Sequence, residues 1–387
     1  MTGVLTGVRV LELGQVLAGP FAGAILADLG AEVVKLERVN GGDDARAMGP
    51  AFRHGDSLNF QVFNRGKQSV ALDLKSADGL AAFERLASEA DIFIHNLRPG
   101  VPQALGIDGP ALCARHPRLI YCEISAFGSV GPMARQPGYE PLVQAFSGLS
   151  STNGGPDDPP LRSAASVCDQ GSGMWAVIGA LALLQRRQQT GRGGVVQTSL
   201  LETALVWNGQ KADAYVNEGR LPVRDRSGHP GFVPYEAFDT QDGPLLICCG
   251  NDRLFAKLAA ELGRPDWTSD ARFASNRARL THKAALLEQL APLLRARPRA
   301  EWLGRFEAAG VPCAPIHSVP EALAHPQVQA LDILAPVPGE DFSLTALPLC
   351  IDGQRPALQG GAPRLGEHNP RHHVPPISTR TTTQETT

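Results

Sequence analysis

Asp169 is the residue around which the sequence can be read for chemistry. It stands in the run Ser166–Val167–Cys168–Asp169–Gln170, followed by Gly171, Ser172 and Gly173 and then by a nearly uncharged stretch to Leu184. A carboxylate at a helix entry, beside small residues that let a ligand approach the backbone, has two readings. It is an N-cap of the helix that follows, or a nucleophile in a dry pocket. Cys168 offers a thiolate at the same helix entry, but no histidine base lies near it in sequence. His229, in Ser-Gly-His-Pro-Gly-Phe, reads either as a general base or as a residue that orders its loop. Gly171, Gly173 and Ala176 match the Gly-x-Gly-x-x-Ala spacing of a dinucleotide site, and Glu37 ends a strand as a ribose-binding acid does. These two halves fall in different units of the chain, and no acid ends a second strand at the expected distance after Ala176. A nicotinamide site is therefore not expected. The vicinal Cys248 and Cys249 read as filling a strand.

The elements that must hold these residues alternate. Val8–Leu13 reads as a strand, Pro20–Gly30 as a helix closed by glycine, and Ala31–Glu37 as a second strand. Further strands are predicted at 69–74, 91–96 and 119–124, with helical pieces at 78–88, 101–106 and 110–115. This is an α/β pattern, implying a mostly parallel sheet with ligands at the carboxyl ends of its strands. The stretch 173–184 reads as a buried helix, 189–200 as a turn followed by a strand and 201–218 as a helix, with a Gly-, Pro- and Arg-rich boundary at 219–235. A hairpin turning at Asp242–Gly243 then leads to helices near 251–263, 283–295 and 299–309, and 310–316 marks a return.

The 387 residues point to two domains, and 43% hydrophobic with 19% charged residues describes a globular chain. A net charge of −3 exerts no general pull on nucleic acid or anionic lipid, and neither is an expected partner. The amino-terminal residues lack the pattern of a signal peptide, and the apolar run 174–184 is too short to span a bilayer, so no membrane role is expected. The seven cysteines form no Cys-x-x-Cys pair and the ten histidines no ligand spacing. No metal is expected, and the thiols fit a reducing, cytoplasmic setting.

From Leu5 to about Asn369 these blocks resemble the class III CoA-transferases, the CaiB/BaiF-type family. The resemblance is carried by Leu17–Gly23, Leu29–Arg38, Asn64–Lys75, Asn96–Val101, Gly138–Tyr139–Glu140 and the Asp169 segment. Thr190–Gly194, His229–Phe238, Gly250–Asp252, Ala309–Pro312 and Leu365–His368 continue it in order. It implies that Asp169 is an aspartyl nucleophile, which attacks an acyl-CoA to form a mixed anhydride and then an aspartyl-CoA thioester. Coenzyme A is then substrate rather than resident cofactor, the partners are acyl-CoA and small carboxylic acids, and no metal takes part. By position in the family, Leu17, Ala18, Arg38, Leu72, Lys75, Asn96, Leu97, Arg98 and Tyr139 bind CoA, with Arg38 and Lys75 on its phosphates.

Two positions depart from the pattern. Ala104 stands where arginine is common and Pro137 where formyl-CoA transferases carry lysine, so Arg98 and Arg135 are expected to supply part of the phosphate grip. The consecutive-glycine loop of formyl-CoA transferases is absent, and specificity for oxalate and formate is not supported. Arg162, Arg224, Arg226 and His229 are open as selectors of the acceptor. A racemase relative is the rival reading, but its Gly-His-Asp is Gly138–Tyr139–Glu140 here, and a phenol is a poor proton shuttle near neutral pH. A non-catalytic CoA-binding protein is the third reading.

The family plan implies a Rossmann-like large domain built from both chain ends, a smaller α+β domain, and an interlocked homodimer. The expected boundaries are 1–200 with 330–375 for the large domain, 201–224 for a linker, 225–325 for the small domain and 376–387 for a disordered tail.

Overall fold

The computed structural model describes residues 3–375, so the tail expected at 376–387 lies outside the described residues. Chain packing divides the protein into two units. Among the described residues the first holds 3–147, 163–209 and 331–375, and the second 148–162 and 210–330.

The core of the first unit is a six-stranded sheet. Its strands are β1 (Arg9–Leu13), β2 (Glu32–Glu37), β3 (Gln68–Ala71), β4 (Ile92–His95), β5 (Ile120–Ser125) and β6 (Gly194–Ser199). They lie in the order β3-β2-β1-β4-β5-β6 and every pairing is parallel, Val10 for example facing Val33 on one side and Ile92 on the other. Short runs of β-branched and aromatic residues such as Ile92–His95 are buried throughout, as strands covered on both faces must be. Strand order reverses direction between β1 and β4, the topological switch point at which such sheets bind ligands.

The helices that matter for the site are α1 (Ala18–Asp28), α2 (Ala77–Glu89), α3 (Glu140–Phe146), α4 (Val167–Thr190) and α5 (Leu200–Trp207). Ser76 caps α2 by accepting from Gly79 N, and Ser199 caps α5 by accepting from Glu202 N. The segment 201–224, expected as a linker, opens with helix: α5 packs on α3 and α4, and a further helix follows at Gly209–Glu218.

Two expectations about the central helix are corrected. With 24 residues, α4 is long and apolar enough to cross a membrane by length and composition, although the run 174–184 suggested otherwise. It lies against α1, β5 and β6 instead. It is also not buried all round. Cys168, Ser172, Ala176 and Ala180 face inward, while Met174, Trp175 and Ile178 are exposed on the opposite side. A low charge count hid this two-sidedness, because both faces are apolar.

The second unit has its own core. The hairpin β7 (Tyr235–Asp239) and β8 (Pro244–Cys248) turns at Asp242–Gly243, and β9 (Cys313–Pro315) joins it antiparallel to β8. Helices α6 (Asp252–Glu261), α7 (Lys283–Arg295) and α8 (Arg299–Ala309) surround Phe255, Trp267, Leu290 and Trp302.

Candidate active site

The turn from β1 into α1 is shaped by buried charge. Lys35, on β2, donates to Glu12 Oε1 at 3.0 Å and to the Gly14 carbonyl at 2.9 Å, and lies 2.9 Å from Asp43 Oδ2. Burial works against its charge, but Glu12 and Asp43 outweigh it and raise its pKa. Asp43 in turn accepts from Val16 N at 2.9 Å, and Val16 adopts a left-handed φ of 63°. That conformation is costly for a β-branched residue and persists where surrounding bonds over-determine it. The second oxygen of Glu12 pairs with Lys67, whose pKa burial depresses. Sequence reasoning missed this network. Its only local signal is the presence of Glu12 and Lys35 between apolar neighbours inside predicted strands.

On the other side of the turn, Asn96 follows β4 and takes both main-chain groups of Gln15. Its Oδ1 accepts from Gln15 N and its Nδ2 donates to Gln15 O, each at 2.8 Å. The Asn96 carboxamide therefore holds the loop that leads to Leu17 and Ala18, an assignment the sequence did not suggest. Leu17 and Ala18 are buried at the start of α1, and no side chain caps that terminus. Unpaired N–H groups at such a helix start favour an anion.

The other residues expected to contact CoA follow neighbouring strands. Arg38 comes directly after β2 and donates to the Gly42 carbonyl at 3.0 and 2.8 Å and to Asp44 Oδ1 at 2.5 Å, with its side chain 54% exposed. Leu72 is buried just past β3, and Lys75 and Arg98 are exposed. Leu97 is half-buried and its N–H meets His95 Nδ1 at 3.3 Å. Leu17, Ala18, Arg38, Leu72, Lys75, Asn96, Leu97 and Arg98 thus gather at the carboxyl ends of four adjacent strands. A cavity of about 220 Å³ opens there, lined by Val39, Leu72, Asp73, Ser76 and Asn369. A second, of about 350 Å³, is bounded by Val8, Arg9, Glu32 and Gln68 at the opposite ends of the strands.

Asp169 reaches the same end of the sheet by way of α4. This helix leads into the amino end of β6, so its own start lies toward the carboxyl ends. Four residues on from Asp169, Gly173 packs directly on α1, where an added methyl would come within 2.7 Å of the Ala18 carbonyl oxygen. Gly171 makes the same kind of approach to Thr203 and Trp207 of α5. Gly171 and Gly173 therefore let α4 pack closely on α5 and α1.

Asp169 is not the N-cap. Ser166 is, without a side-chain bond, and Asp169 lies in the first turn. Its own N–H donates to Glu140 Oε2 at 2.6 Å, and Cys168 N donates to Glu140 Oε1 at 3.1 Å. Gln144 Nε2 donates to the same Oε1 at 2.7 Å. Burial, with the Glu140 charge second, pushes the Asp169 carboxyl up to about 7. The Cys168 thiol is pushed up to about 12 by burial and by Glu140, which leaves it a poor nucleophile. Tyr139, just before α3, is 59% exposed.

Of the remaining residues singled out by sequence, Arg135 is exposed in the first unit, and Arg162, Arg224, Arg226 and His229 lie in the second. His229 accepts from Gly231 N through Nδ1 at 3.0 Å and packs on Phe232 and Tyr235, which is the loop-ordering role. Arg224 donates to the carbonyls of Asp158 and Pro156. Among the described residues no cluster of His, Cys, Asp and Glu has the makings of a metal site.

Residues 5–369 match a family model described as CoA-transferase family III. The chain is 37% identical over 367 residues to an acetyl-CoA:oxalate CoA-transferase of Acetobacter aceti, covering 94% of each. It is 36% identical over 373 residues to a succinate–glutarate CoA-transferase of Agrobacterium fabrum, covering 94% of this chain and 93% of the relative. Among solved structures, a CAIB/BAIF family protein from Brucella suis superposes with a TM-score of 0.88 at 33% identity, covering 96% of this chain and 99% of that one.

Proposed function

This chain belongs to CoA-transferase family III, enzymes that move CoA between an acyl-CoA and a carboxylate, and from that premise we propose that Asp169 carries the transfer as a nucleophile. The observation that carries the reading is a partly buried carboxylate at a helix start, with its pKa pushed up to about 7 by burial and Glu140. A carboxylate that basic is a better nucleophile than an ordinary solvated one, and near neutral pH a large fraction of it is ionised.

In the proposed sequence an Asp169 oxygen attacks the acyl-CoA carbonyl carbon, the C–S bond breaks and CoA thiolate leaves. The thiolate then attacks the Asp169 carbonyl of the mixed anhydride, releasing the donor acid and leaving an aspartyl-CoA thioester. An acceptor carboxylate attacks that thioester and expels the thiolate. The thiolate attacks the acceptor's acyl carbon, freeing Asp169 and the new acyl-CoA. Thioester energy is kept throughout, and the uncapped start of α1 is the proposed support for the oxyanions. Arg38 and Lys75 are proposed as phosphate contacts, with the Leu72 cavity beside them for part of the nucleotide.

The relatives' names pair CoA with acetate, oxalate, succinate and glutarate. Short mono- and dicarboxylates are accordingly the proposed substrates. A second copy of the chain is the proposed cover for the outward face of α4 and α5, where Met174, Ile178, Val206 and Trp207 stand exposed.

The test is direct. Incubation with succinyl-CoA followed by hydroxylamine should modify Asp169, and Asp169→Ala should abolish transfer while leaving CoA binding nearly intact. Catalytic exchange of the α-proton of a 2-methylacyl-CoA with solvent deuterium, without any adduct, would overturn the reading in favour of racemisation.

A further inference from the structure

Glu140 contributes no atom to the scheme above, yet it is the group most closely bound to the turn that bears Asp169. It is the first residue of α3, is 4% exposed, and accepts from Cys168 N, Asp169 N and Gln144 Nε2. Gln144 is itself buried and anchored, since its Oε1 accepts from Ser163 N at 2.8 Å. Helix α4 has no side-chain cap of its own. The anion at its start is therefore supplied from another helix, 29 residues upstream.

Such a helix start stabilises negative charge, and an aspartate in its first turn ordinarily benefits. Here Glu140 takes two of those N–H groups, and its own charge occupies the favourable position. We propose that Glu140 is a positioning residue for CoA transfer, holding the Asp169 turn in register by occupying the terminus of α4 in place of the Asp169 carboxylate. This inference rests on Asp169 being the nucleophile.

The other charged groups on elements packed against α4 do not oppose this. On α1 the first turns are uncharged, and Asp28 at its far end pairs with Arg65. On α5, Glu202 accepts from Ser199 Oγ, and on β5, Glu123 accepts from Gln197 Nε2. Strand β6 carries no titratable side chain, and on α4 itself the neighbouring thiol of Cys168 is pushed to about 12. Burial is the largest cause of the rise at Asp169 and Glu140 the one charge that adds to it.

The experiment follows the rate of adduct formation at Asp169 of the full chain with succinyl-CoA, trapped with hydroxylamine and read by peptide mass spectrometry between about pH 5 and 9. The wild-type rate should rise with pH through a midpoint near 7, the value of the Asp169 carboxyl. Glu140→Gln keeps the shape, loses the charge, and turns one acceptor into a donor facing an N–H. Its midpoint should fall by about one unit, the scale of a like-charge effect, with a lower plateau rate. Glu140→Asp keeps the charge on a shorter arm and should hold the midpoint within about half a unit while lowering the rate. This second variant decides the matter if the first does not fold, because a midpoint displaced by a full unit in Glu140→Asp overturns the inference. An adduct on Asp169 with an unmoved midpoint in Glu140→Gln also overturns it and leaves Asp169 as nucleophile. No adduct in the wild type overturns both.

Discussion

Gly173→Ala is the sharpest test of whether the contact between α1 and α4 sets the geometry around Asp169. The added methyl lies 2.7 Å from the Ala18 carbonyl oxygen and 3.3 Å from Ala22 N, both main-chain atoms. Reaching ordinary contact near 3.4 Å takes roughly 0.7 Å of separation (3.4 less 2.7), and no side-chain rotation can supply it. Overpacking of this kind costs about 1–3 kcal/mol, and the better helix propensity of alanine offsets about 1. The net loss of stability is therefore about 0–2 kcal/mol. The functional loss should be larger, because Asp169 sits one turn away on the same helix. Misplacement on the order of 1 Å costs about 10²-fold, so kcat/KM for CoA transfer should fall on the order of tenfold or more. Gly304→Ala is the matched control, since that glycine lies inside α8 with nothing near its missing methyl. It should gain about 0.5–1 kcal/mol and leave kcat/KM unchanged. Denaturant midpoints and transfer kinetics with succinyl-CoA read both effects. Full activity in Gly173→Ala would refute the claim that this helix contact positions the site.

Asp169→Asn should abolish transfer yet unfold at higher denaturant than wild type at pH 8. The Asp169 pKa is raised in the folded state from 3.8 to about 7, so wild-type stability falls as pH rises across that window and stays low above it. A neutral side chain escapes the loss, and the advantage should vanish near pH 4, whereas an advantage that persists there would refute the assignment. Arg38→Ala should weaken CoA by about 1–3 kcal/mol, the scale of a lost charge-assisted bond, and dephospho-CoA much less. Equal losses in titration calorimetry would place Arg38 away from the 3′-phosphate. Sedimentation velocity should find a dimer down to low concentration, and a stable, active monomer would leave the exposed apolar face of α4 and α5 without its proposed cover.

The local alternation of strand and helix is legible in the sequence, because apolar periodicity, cap residues and glycine stops are written within a few residues of each other. Val8–Glu37 is legible as strand, helix and strand for that reason, and so is the hairpin at Asp242–Gly243. The ordered motifs that surround Asp169 were legible too, and with them the family. Tertiary structure alone decided who meets whom across the chain. Nothing near Asp169 in sequence announces that Glu140 takes its N–H, or that Asn96 takes both main-chain groups of Gln15. Nor does the run Gly171–Ser172–Gly173 tell which helices, α5 and α1, close on its missing methyls. The two-sidedness of α4 was equally hidden, since an inward alanine and an outward isoleucine carry the same apolar signal. Local pattern specifies the elements through short-range energetics. The partners of a buried N–H, a carboxylate or a missing methyl are chosen only when distant elements close on one another, and the chemistry of Asp169 depends on those partners.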